Sequence, residues 1–155
     1  MNFDRAFERT IGHEGGYVAD SRDPGGETKY GISKRSYPAE DIPNLTLERA
    51  RQIYFRDFWN TTSCEYLPGF VSLELFDAAV NHGPKPAIRL VQRALRVMDD
   101  GIIGPVTIAA ADAIHPAVFV ARFAAERLTF YTDLAGWDAF GRGWTRRVAN
   151  NLRQA

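Results

Sequence analysis

The sequence predicts an α+β chain that is predominantly helical, and three observations carry that expectation. Apolar residues recur at three- and four-residue spacing in six or seven separate segments. One stretch alone, TKYGI within residues 17–33, alternates as a small β-hairpin would. Glycine or proline stands at most of the boundaries between helical segments.

In chain order, Phe3, Phe7 and Ile11, with Ala6 beside them, form a helical stripe that should stop at the glycines after Glu14. Residues 17–33, YVADSRDPGGETKYGIS, follow as a loop and hairpin. Thr46 then caps an amphipathic helix carrying Ala50, Ile53, Tyr54 and Phe58. Leu73, Phe76, Ala79 and Val80 repeat the spacing until Asn81-His82-Gly83-Pro84 ends it. Ala87, Ile88, Val91, Ala94 and Leu95 mark another helix. Gly104-Pro105 opens a segment through Ile114, with proline at the favourable first position. Pro116 starts a helix with Val120, Ala124, Leu128 and Tyr131 on one side, and Trp137, Phe140, Trp144, Val148 and Leu152 mark a terminal one.

Composition narrows the function. The 155 residues are 45% hydrophobic and 12% aromatic, which suits a folded globule rather than a disordered chain. Nineteen basic and nineteen acidic side chains give no net charge, so a nucleic-acid partner is not expected. Charge is uneven, however: Gly136 to Ala155 holds four arginines (Arg142, Arg146, Arg147, Arg153) against Asp138, a solvated helix face or a surface for an anionic partner. The single cysteine, Cys64, can make no internal disulfide and fits folding in a reducing cytoplasm. The N-terminal segment is charged and lacks the apolar core of an export signal, and no run suggests stable membrane insertion. No cofactor motif is visible and no metal site is expected; a monomer is.

Several motifs fail on inspection. HEGGY begins like the zinc motif HExxH, but Tyr17 replaces the second histidine. DDGIIGPVT lacks the ligand spacing and closing glutamate of a calcium loop. His13, His82 and His115 have no nucleophile elbow near them. What remains is Glu14 with Asp23 and Thr28. Glycoside cleavage needs a carboxyl group that keeps its proton near neutral pH, plus a second group to handle water or developing positive charge. At the electronegative end of a helix, Glu14 suits the first task, and Gly15 and Gly16 leave room for a sugar ring. Structural roles are open for each: an exposed glutamate before a turn, Asp23 as a turn former, Thr28 as a strand residue, Asn81-His82-Gly83 as a helix cap, and Gln92 as an exposed helical residue.

The combination is more specific than its parts. EGGYVADSRDPGGETKYGIS closely resembles the N-terminal signature of glycoside hydrolase family 108, the phage and bacterial endolysin-type muramidases. LFDAAVNHGPKPAIRLVQRALRVMDDGIIGPVT, with ERLTFYTDL and FGRGWTRRV, resembles that family's second half, described as a predicted peptidoglycan-binding region. The resemblance implies a lysozyme-like fold in residues 1–155, with a catalytic part over roughly 1–86 and a helical peptidoglycan-binding part over 87–155 packed onto it. It implies hydrolysis of the β-1,4 bond between N-acetylmuramic acid and N-acetylglucosamine in peptidoglycan glycan strands, with Glu14 as the catalytic glutamate. Phage lysozymes space their triad as glutamate, eight residues, aspartate or cysteine, five residues, threonine. Eight residues separate Glu14 from Asp23 here, but four separate Asp23 from Thr28, so Asp20 and Tyr30 are alternatives for the second function. Tyr30, Asn81 and His82 are candidate sugar contacts across a groove between the hairpin and the AAVNHG helix. Rival readings are a lytic transglycosylase, a chitinase or chitosanase, and a non-catalytic wall-binding or secretion-helper protein. The resemblance further implies synthesis in a host cytoplasm, holin-dependent release, and lysis from the periplasm.

Overall fold

The structure, a computed structural model, describes residues 3–11, 16–19 and 26–154. It is α+β and dominated by helix. Seven α-helices and one two-stranded antiparallel sheet are seen among the described residues. The helices are α1 (Phe3–Ile11), α2 (Leu47–Tyr54), α3 (Gly69–His82), α4 (Pro84–Leu95), α5 (Pro105–Ala113), α6 (Pro116–Thr132) and α7 (Trp137–Arg153). No single helix among them is long and apolar enough to cross a membrane.

Helix α3 is the axis of the molecule. Nine consecutive residues, Val71 through Ala79, are buried, because α1, α4 and α6 all pack against it. A helix covered on all sides needs an apolar surface all round, and Val71, Leu75, Phe76, Ala78 and Ala79 supply it. Phe76 sits in an aromatic cluster with Phe3 at 5.7 Å, Trp59 at 5.9 Å and Tyr54 at 6.3 Å between ring centres, all near-perpendicular contacts of the kind favoured by ring quadrupoles. Phe3 and Phe7 thus do what their spacing predicts, seating α1 on α3.

The helix expected over residues 46–58 is capped as anticipated, with Thr46 Oγ1 accepting from the Arg49 amide at 3.1 Å. It does not continue as one α-helix. After Tyr54 the chain widens into a π-helical turn, Phe55–Asn60. The extra residue per turn rotates Trp59 to a buried position while Phe55 and Asn60 face out. A 3₁₀ turn, Cys64–Tyr66, follows. Burial pushes the Cys64 thiol up to about 12 against the opposing hydrogen bond with Thr62, which leaves it unreactive at neutral pH.

Gln92 corrects the view that it is an exposed helical residue, being only 1% accessible. Its amide donates to Asp100 Oδ1 at 2.7 Å, the Ile102 carbonyl at 2.9 Å and Thr107 Oγ1 at 3.3 Å, and its oxygen accepts from the Gly101 amide at 2.8 Å. A buried amide must find such partners or pay for its desolvation. The loop DDGIIGPVT is therefore clasped onto α4 by one side chain.

The sheet pairs β1 (Thr28–Lys29) with β2 (Ile32–Ser33), Lys29 facing Ile32 across a two-residue turn. Tyr30 and Gly31 both have positive φ, 51° and 75°, as a turn matched to strand twist requires. Tyr54 holds this turn: its hydroxyl donates to the Tyr30 carbonyl at 3.0 Å, and a Cβ on Gly31 would lie 2.4 Å from the same oxygen but 3.7 Å from the ring carbon bearing it. Gly31→Ala should cost about 2 kcal/mol from backbone strain alone, with the clash in addition. Tyr54→Phe should cost about 1 kcal/mol for the lost hydrogen bond. The double variant should lose less than the two together, because removing the hydroxyl removes the clash, and urea unfolding of the four proteins measures that coupling.

Candidate active site

The hairpin presents two of the candidate residues. Thr28 exchanges both backbone hydrogen bonds with Val18 at 2.8 Å each, and its hydroxyl donates weakly to the Gly26 carbonyl at 3.4 Å. That hydroxyl keeps its acceptor capacity. The reading of Thr28 as a strand residue also holds, since it lies in β1. Tyr30 is half-buried and packs against the core, with Lys29 Nζ 5.6 Å from its ring centre. Nearby, Tyr17 donates to Glu27 at 2.9 Å, which raises the Tyr17 pKa through that hydrogen bond. Glu14, Asp20 and Asp23 lie outside the described residues. In sequence, position 14 falls between two described anchors, the end of α1 at Ile11 and the Val18–Thr28 bridge.

The other two candidates lie at the end of α3. Asn81 is exposed and turns its amide back onto its own helix, donating to the Asp77 carbonyl at 2.6 Å. Gly83 follows with φ 85° at the helix boundary, so the cap reading of Asn81-His82-Gly83 is realised. His82 packs against α6, its ring 5.2 Å from Phe130 and 5.1 Å from Tyr131. No hydrogen bond or ring contact among the described residues joins Thr28 or Tyr30 to Asn81 or His82. Three cavities formed by described residues, of about 560, 390 and 260 Å³, also have none of these four side chains in their walls.

Helix α3 also carries a charge network whose assembly the sequence did not reveal. Asp77, on α3, accepts from Arg127 Nη1 at 2.7 Å, Arg147 Nη2 at 2.7 Å, Arg147 Nε at 3.0 Å and Asn151 at 2.9 Å. Glu74, one turn earlier, pairs with Arg9 of α1 at 2.5 Å. Burial pushes the Asp77 pKa up, but the guanidiniums of Arg127 and Arg147 more than reverse this and hold it below the usual carboxylate range. The only prior signal was the arginine-rich C-terminal stretch. Three of its four arginines are exposed as a solvated face would be, and Arg147 is recruited inward. Asp77→Ala takes the nearest carboxylate from the buried Arg127 guanidinium and should cost about 3 to 5 kcal/mol, read from chemical denaturation.

His82 gives a pH signature. Burial, reinforced by the positive charge of Arg127, lowers its pKa to about 4. The unfolded chain therefore binds a proton near the ordinary histidine value, about 6.5, while the folded chain resists until about 4. Stability contributed by neutral His82 is complete above the higher value and is lost as pH falls through the lower one. Thermal midpoints should fall over that window, and His82→Phe should flatten the slope there.

Comparison with known proteins agrees with this architecture. Residues 7–83 match the model for glycosyl hydrolase 108, and residues 86–149 match one described as a predicted peptidoglycan domain. No curated protein sequence matches. Among solved structures, SagA of Brucella abortus is 31% identical and superposes with a TM-score of 0.87, over 98% of this chain and 92% of that one. The hairpin and surrounding helices thus form the lysozyme-like fold of a peptidoglycan-acting glycoside hydrolase. The chain belongs to glycosyl hydrolase family 108.

Proposed function

We propose that the protein is an N-acetylmuramidase that hydrolyses the β-1,4 bond between N-acetylmuramic acid and N-acetylglucosamine, with Glu14 as general acid. The observation that carries this is the match of residues 7–83 to the hydrolase family over the segment containing EGGYVADSRDPGGETKYGIS. The Val18–Thr28 bridge supports it, because it ties the chain just after position 14 to the strand bearing Thr28. In the reaction Glu14 gives its proton to the bridging oxygen as the anomeric C–O bond breaks. Asp23 stabilises the oxocarbenium-like state or takes a proton from the attacking water, and Thr28 orients that water. The water's hydroxyl ends on the anomeric carbon. Tyr30, Asn81 and His82 are proposed sugar contacts.

We further propose an endolysin role: residence in a host cytoplasm, release through a membrane lesion, and lysis from the periplasm as a monomer. Its support is the resemblance of the signature segment to phage endolysins. Lysis on co-expression with a holin, and its absence without one, is the expected result.

Glu14→Gln should keep the circular dichroism spectrum and reduce clearing of permeabilised Gram-negative cells by a factor of about 10² to 10⁴, the usual contribution of a general acid. Mass spectrometry of the released muropeptides should show one water added per bond cut. Anhydro products in its place would assign the chain to transglycosylation.

A further inference from the structure

The largest of the three cavities described above, about 560 Å³, has in its walls no residue assigned to the proposed reaction. It opens between α1 and α3, before the Gly83-Pro84-Lys85 junction, and α6 and α7 after it. Its volume falls within the roughly 300 to 1,000 Å³ typical of small-molecule sites. Phe70 and Leu73 of α3, Val120 of α6 and Leu152 of α7 make the walls mainly apolar. Such walls suit hydrocarbon and offer little to a sugar, whose hydroxyls would leave water without finding partners.

The polar groups in the walls are nearly all donors. Arg5 is exposed and makes no hydrogen bond or ion pair among the described residues. Arg9 gives Nη2 to Glu74 at 2.5 Å and its Nε is buried without a partner, so most of the five guanidinium donors are unused among the described residues. His115 accepts from the Ala117 amide at 3.3 Å through Nδ1, which puts its ring proton on Nε2 as a further donor. The one carboxylate in these walls, Glu74, is already taken: besides Arg9 it has Asn151 at 3.5 Å and Arg127 at 4.0 Å. Two cations, apolar walls and no free carboxylate among the described residues are complementary to one negative charge on an apolar body. The Arg9 side chain is only 13% exposed, so an anion meets it where water screens little.

We propose that this cavity binds a small amphipathic anion, a carboxylate on an aliphatic chain, with its head at Arg5 and Arg9 and its chain along Phe70, Leu73 and Val120. The site stands apart from glycan cleavage and does not depend on that reading. Because its walls come from both sides of the junction, the ligand ties α1 and α3 to α6 and α7, and binding stabilises the folded chain.

The test uses the full chain and decanoate below its micelle-forming concentration. Titration calorimetry should show one saturable site, and the thermal midpoint should rise with decanoate concentration. Shorter carboxylates should bind about fourfold more weakly for each methylene removed. Decylammonium, equal in chain and opposite in charge, should bind at least tenfold more weakly, and Arg5→Gln should narrow that ratio. Ala121→Trp fills the cavity from an exposed wall position; it should keep the circular dichroism spectrum and abolish both the heat and the rise in midpoint. Ala117→Trp, also at an exposed wall position, takes its place should that variant not fold. The inference is overturned if decanoate shows no saturable binding, if decylammonium binds as tightly, or if the folded Trp variant binds decanoate like the parent. It is equally overturned if sedimentation shows a dimer that the Trp variant returns to monomer, since a second copy then covers the cavity.

Discussion

A carboxylate buried inside the central helix organises the rest of the molecule. Asp77 is 3% exposed and sits on a helix most of whose buried residues are apolar, so its charge is tolerated only while donors surround it. Those donors come from Arg127 on α6 and from Arg147 and Asn151 on α7, at 2.7 to 3.0 Å. Apolar packing alone would permit α6 or α7 to slide along α3 with modest loss. A slip by one helical turn, about 5.4 Å, would break every one of these bonds at once. Directional bonds in a medium of low polarity thus set the register of three helices, and the Arg9–Glu74 pair extends it to α1.

The same network crosses the line between the two family matches. That line falls at Gly83-Pro84-Lys85, where α3 turns directly into α4. Asp77 and Glu74 lie before it, and Arg127, Arg147 and Asn151 lie after it. One apolar cluster also spans both sides, from Phe3 to Phe123. Separating the halves would strip Asp77 and Arg127 of the bonds that join them and open the shared apolar cluster to water, so the half matched by the peptidoglycan-domain model supports the other structurally.

Helix positions were legible in the sequence because burial imposes a period on apolar residues, and proline marked two starts, Pro105 and Pro116, while Pro84, read as closing α3, also begins α4. The turn at Tyr30-Gly31 was legible for a similar reason, as alternation around a glycine. The π-helical turn was not, because its cause is the demand that Trp59 reach the core, which no local pattern encodes. Nor were the partners of Asp77, which lie 50 to 74 residues away in sequence. Periodicity reports which face of a helix is buried and is silent on which distant charge meets it. Gln92 misled for the same reason: a polar residue on an amphipathic helix resembles a surface residue until its loop is folded over it. For the candidate site, the motif drew attention to Glu14 and Asp23, which lie outside the described residues, and to Thr28, whose hairpin is present. His82 shows the limit, since a histidine near a proposed cleft packs on two aromatic rings of α6.

The loop DDGIIGPVT shows how a motif's chemistry is redirected by folding. Asp100 accepts from the Ile102 amide at 2.9 Å and from Gln92, Thr107 is buried against the same amide, and Gly101 takes φ 80° beside the Lys85 and Arg89 side chains. Asp100 and Thr107 are thus committed to the loop's own shape, while Asp99 pairs with Arg93 of α4 at 2.7 Å. Apolar side chains also face outward here: Ile102 and Val106 are 68% and 72% exposed, and Met98 just before them 81%. A segment that opens on two acids thus presents exposed apolar side chains as well, because one buried amide on α4 holds Asp100 and Thr107 in place.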